Sequence, residues 1–142
     1  MPTTNKNLEL FLGLAKIQAI MSRRFDNSLG GISFNEFMIL YNLSLAPDKK
    51  LSRIDLAEKL GLTSSGITRL LLPMEKIGLV KKEAHQSDAR MSWILLASGG
   101  KEKLSEGLER AEYLVDFVLA SSEKKSLGDL NKFLEQLSQA VK

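Results

Sequence analysis

The chain has 142 residues, 44% hydrophobic and 26% charged, which is typical of one folded domain and excludes a disordered chain. Its net charge is +3, and residues 51–103, with nine basic and six acidic side chains, carry that whole excess, which favours an anionic partner such as nucleic acid. The absence of cysteine excludes disulfides and thiolate metal sites, and without a secretory leader or an apolar run of about 20 residues we expect a cytoplasmic protein with no membrane partner.

The first predicted element is a helix from about Asn5 to Phe25. Its apolar residues form two stripes, one through Leu10, Leu14, Ile17, Met21 and Phe25 and one through Leu8, Leu12, Ala15 and Ala19. The stripes lie about 200° apart around the helix axis. A helix with two apolar faces needs protein on both, so we expect one face to meet the core of its own chain and the other to meet a second chain.

A loop and a capped helix are predicted next. The loop covers Asp26–Ile32 and contains two consecutive glycines. Ser33 and Glu36 have the spacing of a capping box, which predicts a second helix over Phe34–Leu45. A short strand is predicted at Lys49–Leu51.

Two short helices joined by a tight turn are predicted in the middle of the chain. The third helix starts after Ser52 and ends at Leu60, because Gly61 follows. Thr63 is a suitable N-cap for a fourth helix, Ser64–Ile77. This spacing is typical of a helix-turn-helix, whose second helix reads the major groove of DNA.

A basic β-hairpin is predicted directly after the fourth helix. Its strands are Leu79–Ala84 and Met91–Leu96, and its polar tip is His85–Ala89. A helix that enters a groove and a hairpin that grips the neighbouring backbone suit a small DNA-binding domain. We therefore expect double-stranded DNA as the partner.

The fourth helix is predicted to have an anchoring face and a reading face. The anchoring face comprises Ile67, Leu70, Leu71, Met74 and Ile77, and the outward or flanking residues are Ser64, Ser65, Thr68, Arg69, Leu72 and Lys76. First-turn hydroxyl groups can donate to or accept from bases, and Arg69 can bind guanine O6 and N7 or a phosphate. Lys76 is expected to contact phosphate or to be solvated, and Leu72 to meet a thymine methyl or to be covered by a loop. The alternative is that Ser64 and Ser65 only start the helix and that Arg69 is solvated.

The hairpin tip contains a second candidate contact. Asp88 and Arg90 are two residues apart, so the carboxylate can orient the guanidinium for a narrow, electronegative minor groove. The alternative is a surface salt bridge without a role in binding. His85 is expected to be an exposed tip residue that touches phosphate, and Trp93 is expected in the core.

The end of the chain is predicted to be helical. Gly99-Gly100 is interpreted as a hinge before a fifth helix, whose apolar seam is Leu104, Leu108, Ala111, Val115 and Val118. After a polar break at Ser121–Lys125, a sixth helix carries the seam Leu127, Leu130, Leu134, Leu137 and Val141. Both seams alternate steps of three and four residues, so we expect both chain ends to pack against other helices.

The sequence favours a non-enzyme. Catalysis needs a positioned base with a nucleophile or a metal, and none of the common hydrolase, metalloprotease or phosphate-binding motifs is present. We expect no catalytic residue, no metal site and no cofactor. Four acidic residues of the fifth helix are interpreted as a solvated face rather than as metal ligands: Glu102, Glu106, Glu109 and Glu112.

Taken together, these segments resemble the multiple-antibiotic-resistance regulator (MarR) family of winged-helix transcription factors. The resemblance is strongest over residues 51–90, and the order of helices extends it across nearly the whole chain. The matching residues are Leu56-Ala57, Leu60-Gly61-Leu62, Thr68-Arg69-Leu70, Gly78-Leu79-Val80, and Asp88 with Arg90.

The resemblance implies a mainly α-helical chain with a small β-hairpin, that is, a winged helix-turn-helix with N- and C-terminal dimerisation helices. Residues 1–142 would form a single domain, with a dimerisation region in 1–32 and 100–142 and a DNA-binding lobe in 33–99. The resemblance also implies a homodimer that binds a pseudo-palindromic operator, with helix four in the major groove and Arg90 in the minor groove. A small aromatic or anionic effector would change the spacing of the two lobes and relieve repression.

The predicted DNA-binding residues are Thr63, Ser64, Ser65, Thr68, Arg69, Lys76, Asp88 and Arg90. The chain also departs from the family pattern. Ala89 stands where the wing often has an arginine, Ala97-Ser98 stands where Thr-Pro is usual, and the missing cysteine excludes the peroxide-sensing branch. The alternative function is a winged-helix protein-interaction module, or an architectural DNA-binding module, without a small-molecule response.

Overall fold

The computed structural model describes residues 5–120 and 124–142. Within these residues the chain is mainly helical, with one small antiparallel sheet and a 3₁₀ turn at Pro47–Lys49. The elements in chain order are α1 (Lys6–Asp26), α2 (Phe34–Leu45), β1 (Lys50–Ser52), α3 (Arg53–Leu60), α4 (Ser64–Lys76), β2 (Val80–Ala84), β3 (Ser92–Leu96), α5 (Ser98–Val118) and α6 (Lys124–Val141). This order confirms the predicted fold class. Residues 121–123 of the predicted polar break Ser121–Lys125 lie outside the described residues.

Side-chain caps determine where the helices begin. The predicted capping box of α2 is complete, because the Ser33 hydroxyl accepts from the Glu36 amide at 3.1 Å and the Glu36 carboxylate accepts from the Ser33 amide at 2.8 Å. Asn5, Ser52 and Thr63 cap α1, α3 and α4 by accepting amides of the first turn. Each such cap stabilises a helix by about 1 kcal/mol.

The turn between α3 and α4 is short. Gly61 ends α3 with a φ of 70°, in the left-handed region that glycine adopts without strain. Thr63 caps α4 only two residues later, so the two helices are held close together. The predicted helix-turn-helix is confirmed.

The sheet has the strand order β1-β3-β2, with both pairs antiparallel. The β2–β3 pair is the predicted hairpin, and its register places Lys82 opposite Ile94. On the other side of β3, Leu51 of β1 also pairs with Ile94. The hairpin is therefore joined to the chain before the helix-turn-helix, which fixes its position beside α3 and α4.

The interpretation of Gly99-Gly100 as a hinge is wrong. Both glycines lie in the first turn of α5, which begins at Ser98. An ideal Cβ at Gly99 would lie 2.7 Å from the carbonyl oxygen of Gly78, and one at Gly100 would overlap the carbonyl group of Leu79. The helix start packs directly on the backbone that leads into β2, and only glycine allows that approach.

The main hydrophobic core forms around α2. Its largest fully buried side chains come from four segments of the chain: Leu29, Ile39, Leu40, Leu43, Leu56, Ile67 and Met74. Each stabilises the fold by about 1.5–3 kcal/mol relative to an exposed side chain. Since α2 contacts α1, α3, α4, β1 and β3, this core fixes the helix-turn-helix relative to the sheet.

The chain divides into two compact units, Met1–Ala111 and Glu112–Lys142. In the first unit α1 buries Phe25, which stacks on Phe34 with ring centroids 4.8 Å apart, but leaves most of its other apolar side chains exposed. In the second unit α6 exposes Leu130, Leu134 and Val141. Among the described residues, no helix combines the length and the hydropathy that a membrane span requires.

The predicted seam of α5 is buried at its start and exposed at its end. Leu104 and Ala111 are buried, whereas Val115 and Val118 are exposed. The four glutamates of α5 are exposed, and Glu106 pairs with Lys103 and Arg110 at 3.7 and 3.8 Å. The interpretation of these glutamates as a solvated face is confirmed. The assignment of the chain ends to a dimerisation region stays a prediction.

Candidate nucleic-acid interface

Helix α4 separates packing residues from outward-facing residues. Ile67, Leu71 and Met74 are buried against the core, whereas Ser64, Ser65, Arg69 and Lys76 are exposed. Thr63 starts the helix with its hydroxyl accepting from the Gly66 amide at 3.0 Å, and lies 3.3 Å from the Ser65 hydroxyl. The first turn thus presents small hydroxyl side chains and backbone amides to the outside, where a phosphate or base edge can approach.

Two expectations for α4 need correction or refinement. Ile77 was predicted to anchor the helix but is 68% exposed, because the helix ends at Lys76 and Ile77 is its C-cap. Leu72 is 51% exposed, so no loop covers it fully. Pro73 lies inside the helix, where it cannot donate a backbone hydrogen bond.

Arg53 is a surface residue that sequence reasoning did not assign to the interface. It is the first residue of α3, it is exposed, and its Nη1 donates to the Thr68 hydroxyl at 3.2 Å. The signal available in the sequence was its position directly after the cap Ser52, at the start of the first helix of the helix-turn-helix. That helix crosses the DNA backbone in such motifs.

The hairpin tip holds its arginine outward. The Asp88 carboxylate accepts from the Arg90 amide at 2.9 Å and from Arg90 Nε at 3.4 Å. The Arg90 side chain is nevertheless 91% exposed, so its outer N–H groups face solvent. The predicted pair is confirmed, and it orients a guanidinium without burying it.

A stacked cluster supports the base of the hairpin tip. The His85 ring stacks on Trp93 with centroids 4.7 Å apart, and Lys50 Nζ lies 5.0 Å from the Trp93 ring centroid. The His85 Nδ1 accepts from the Ser87 amide at 3.1 Å, and Lys50 pairs with Glu83 at 3.6 Å. The prediction that Trp93 belongs to the core is therefore wrong. Trp93 is half-buried on the sheet, and because His85 stacks on it, the histidine is half-buried as well.

The helix start and the hairpin contribute to one outward surface. One depression is lined by Arg53, Ser64, Ser65, Thr68 and Arg69. A second depression shares Arg53 and Thr68 with the first and extends along α3, α4 and the sheet to Lys82 and Arg90. We call this continuous area the cationic face.

Most of the predicted site residues belong to the cationic face. Ser64, Ser65, Thr68, Arg69 and Arg90 line it, Asp88 is paired with Arg90, and Thr63 adjoins it at the helix start. Lys76 is exposed at the opposite end of α4, about two turns beyond Arg69. In the described part of the chain, no group of three or more histidine, aspartate or glutamate side chains has the arrangement of a metal site.

Comparison with known proteins agrees with this geometry. The model of the MarR family matches residues 32–92, which span α2 to the start of β3. The HTH-type transcriptional repressor YetL of Bacillus subtilis (strain 168) is 33% identical over 133 residues, which cover 87% of this chain and 80% of that protein.

Two solved structures from Streptomyces coelicolor share the fold. Sco3205, a MarR family transcriptional regulator in complex with DNA, has a TM-score of 0.87, is 19% identical and covers 99% of this chain and 94% of its own. The PcaV transcriptional regulator in complex with its natural ligand has a TM-score of 0.85, is 16% identical and covers both chains completely. With a winged helix-turn-helix, a cationic face and these similarities, the chain belongs to the MarR family and is a DNA-binding transcriptional regulator.

Proposed function

We propose that this chain is a cytoplasmic, homodimeric repressor that binds a pseudo-palindromic operator and is released by a small-molecule effector. The observation that carries the proposal is the cationic face, which combines the start of α4 with the hairpin tip. Its arginines come from three different elements, Arg53 from α3, Arg69 from α4 and Arg90 from the hairpin.

In the proposed complex α4 lies in the major groove, which is about 12 Å wide and admits one helix. Arg69 would bind guanine O6 and N7 through two parallel N–H groups, and Ser64 and Ser65 would approach base edges or a phosphate. Thr63 would hold the helix start against the DNA backbone. Lys76 would contact a phosphate farther along the groove.

The hairpin tip would enter the neighbouring minor groove. Arg90 is exposed, and Asp88 restricts its side chain, so less conformational entropy is lost when it binds. A narrow minor groove has a strongly negative potential that favours an arginine. The hairpin tip would therefore prefer A·T-rich flanking sequences because of the shape and potential of their minor groove, and not through hydrogen bonds to particular bases.

The proposed dimer is supported by apolar surface at both chain ends. On α1, Leu8, Phe11, Leu12 and Ile17 are exposed, and on α6, Leu130 and Leu134 are exposed. Helical faces of this kind are usually covered by another helix. A second copy of the chain would bury them and would place two recognition helices on one duplex.

The effector in this proposal is a small aromatic or anionic molecule. The support is the similarity in fold to PcaV, whose structure was solved with its natural ligand. An effector acts only if it binds the DNA-competent and the released states with different affinities. Its expected action is to change the spacing of the two lobes.

The test is to select bound duplexes from a random pool and to measure the affinity of the selected duplex against salt concentration. A repressor of this kind should select one pseudo-palindromic sequence and show a steep negative slope of log K against log salt. A steep salt slope without a preferred sequence would indicate an architectural DNA-binding protein. A flat slope would indicate a protein-interaction module and would refute the proposal.

The effector is tested on the same duplex. Small aromatic acids and neutral aromatic compounds of similar size are screened for loss of binding, and a hit is then titrated against both the DNA complex and the free protein. We expect a hit to bind the free protein more tightly than the complex, by the same factor by which it weakens DNA binding. Failure of all compounds to change DNA affinity would argue against effector control while leaving DNA binding intact.

A further inference from the structure

Arg53 and Thr68 form a hydrogen-bonded pair between the two helices of the motif. Arg53 Nη1 donates to the Thr68 hydroxyl oxygen at 3.2 Å. The same hydroxyl group donates its hydrogen to the carbonyl oxygen of Ser64 at 3.0 Å. The pair joins the start of α3 to the second turn of α4.

The hydrogen-bonding capacity of Thr68 limits what it can do on DNA. A hydroxyl group has one hydrogen and two lone pairs. In Thr68 the hydrogen is directed to Ser64 and one lone pair receives Arg53. Thr68 therefore cannot donate to guanine O6 or N7, to adenine N7 or to thymine O4 while its hydrogen is directed to the Ser64 carbonyl oxygen.

Arg53, in contrast, has donors to spare. A guanidinium carries five N–H groups and accepts none. Arg53 is exposed, and among the ion pairs of residues 5–120 and 124–142 none includes it. It also lines both depressions of the cationic face, so it lies between the part near Arg69 and the part near Arg90.

We infer that Arg53 contacts a phosphate of the DNA backbone and that Thr68 is a positioning residue that holds Arg53 rather than a base-reading residue. The inference rests on the proposed function. An unrestrained arginine on a surface loses considerable rotamer entropy when it binds, and the hydrogen bond that Arg53 donates to Thr68 removes part of that loss in advance. The two linked hydrogen bonds, from Arg53 to Thr68 and from Thr68 to Ser64, thus connect a contact with the DNA backbone to the start of α4.

The first experiment compares Arg53→Gln with Lys59→Gln, an exposed basic residue in the last turn of the same helix. Each phosphate contact contributes about 0.9 to the slope of log K against log salt, so a dimer that loses Arg53 twice should lose about 1.8. Affinity falls for both proteins when the salt concentration rises from 50 to 200 mM. The factor by which it falls should be about twelve times smaller for Arg53→Gln than for the wild type. An unchanged slope, or an equal change in Lys59→Gln, would overturn the phosphate assignment.

The second experiment tests the role of Thr68. Thr68→Val keeps the shape of the side chain but removes the hydroxyl group, and Thr68→Ser restores it. If Thr68 positions Arg53, Thr68→Val should weaken binding about two- to tenfold on all duplexes alike, Thr68→Ser should recover the affinity, and Thr68→Val should have no further effect in an Arg53→Gln background. A change of preference at one base pair that persists in that background would show that Thr68 reads a base and would overturn the inference.

Arg53→Lys serves as a further variant. It retains the charge but loses the planar fork, so it should keep the salt slope while losing the coupling to Thr68. The failure of this inference is distinguishable from failure of the proposed function, because the wild type must first select a specific duplex with a steep salt slope. A chain that selects a duplex but is insensitive to all Arg53 variants would refute only the role of Arg53.

Discussion

Replacing Gly100 by alanine tests whether the start of α5 must pack against the backbone before β2. A Cβ at this position would overlap the carbonyl group of Leu79. The oxygen of that carbonyl group already accepts a hydrogen bond from the Ala97 amide at 3.0 Å. The helix start must therefore move outward and lengthen that hydrogen bond. Overpacking of this kind costs about 1–3 kcal/mol, and a weakened hydrogen bond adds about 0.5–1.5 kcal/mol.

The helix propensity of alanine opposes part of this cost. Alanine is about 1 kcal/mol more favourable than glycine inside a helix. The matched control is Gly128→Ala in α6, where an added Cβ meets nothing within 4 Å, so only the favourable contribution remains. We expect Gly100→Ala to be destabilised by about 0.5–3.5 kcal/mol and Gly128→Ala to be stabilised by about 1 kcal/mol.

The assay is denaturant unfolding of both variants and the wild type at one fixed protein concentration, since association also contributes to stability. For a chain of this size, each kcal/mol corresponds to about 2–4 °C in the midpoint of a thermal scan. If Gly100→Ala were as stable as Gly128→Ala, the close approach of α5 to Leu79 would not be required and the reasoning would be refuted.

The remaining predictions concern DNA binding and association. Arg69→Ala should reduce discrimination between the selected duplex and its variants by about 1–3 kcal/mol in competition binding, whereas an equal loss on all sequences would make Arg69 a phosphate contact. Arg90→Ala should weaken binding mainly to duplexes with A·T-rich flanks, and unchanged affinity for these would reject the minor-groove role. Footprints should contain two half-sites with centres about 10–10.5 bp apart, or a multiple of that, and a single half-site would contradict two-fold binding. Leu12→Glu, at a side chain that is 60% exposed on α1, should shift the protein towards monomer in sedimentation, and an unchanged dimer would place the interface elsewhere.

The local signals in the sequence were sufficient to predict the elements of the DNA-binding region. The helix caps form hydrogen bonds with residues within one turn, so their positions in the chain reveal where the helices start. These caps are the capping box of Ser33 and Glu36 in α2, Ser52 in α3 and Thr63 in α4. The spacing of Ile67, Leu71 and Met74 likewise predicts which face of α4 is buried. These features depend on short-range geometry, which one sequence contains.

The features that the sequence did not reveal depend on contacts between distant segments. Gly99-Gly100 resembles a flexible hinge until the carbonyl groups of Gly78 and Leu79 are placed beside it. Trp93 has the large apolar side chain of a typical core residue. It nevertheless lies on the three-stranded sheet, where His85 and Lys50 contact its ring. Arg53 gained its place in the cationic face only when α3 and α4 were brought together.

The separation of buried and exposed residues on α4 has a consequence for how this regulator can diversify. The side chains that hold the helix in the domain, Ile67 and Met74, have no access to a duplex, whereas Ser65 and Arg69 are exposed. Exposed substitutions of this kind usually change stability by less than about 0.5 kcal/mol. A descendant of this chain can therefore acquire a new operator by exchanging two or three outer residues, while its architecture and melting behaviour stay the same.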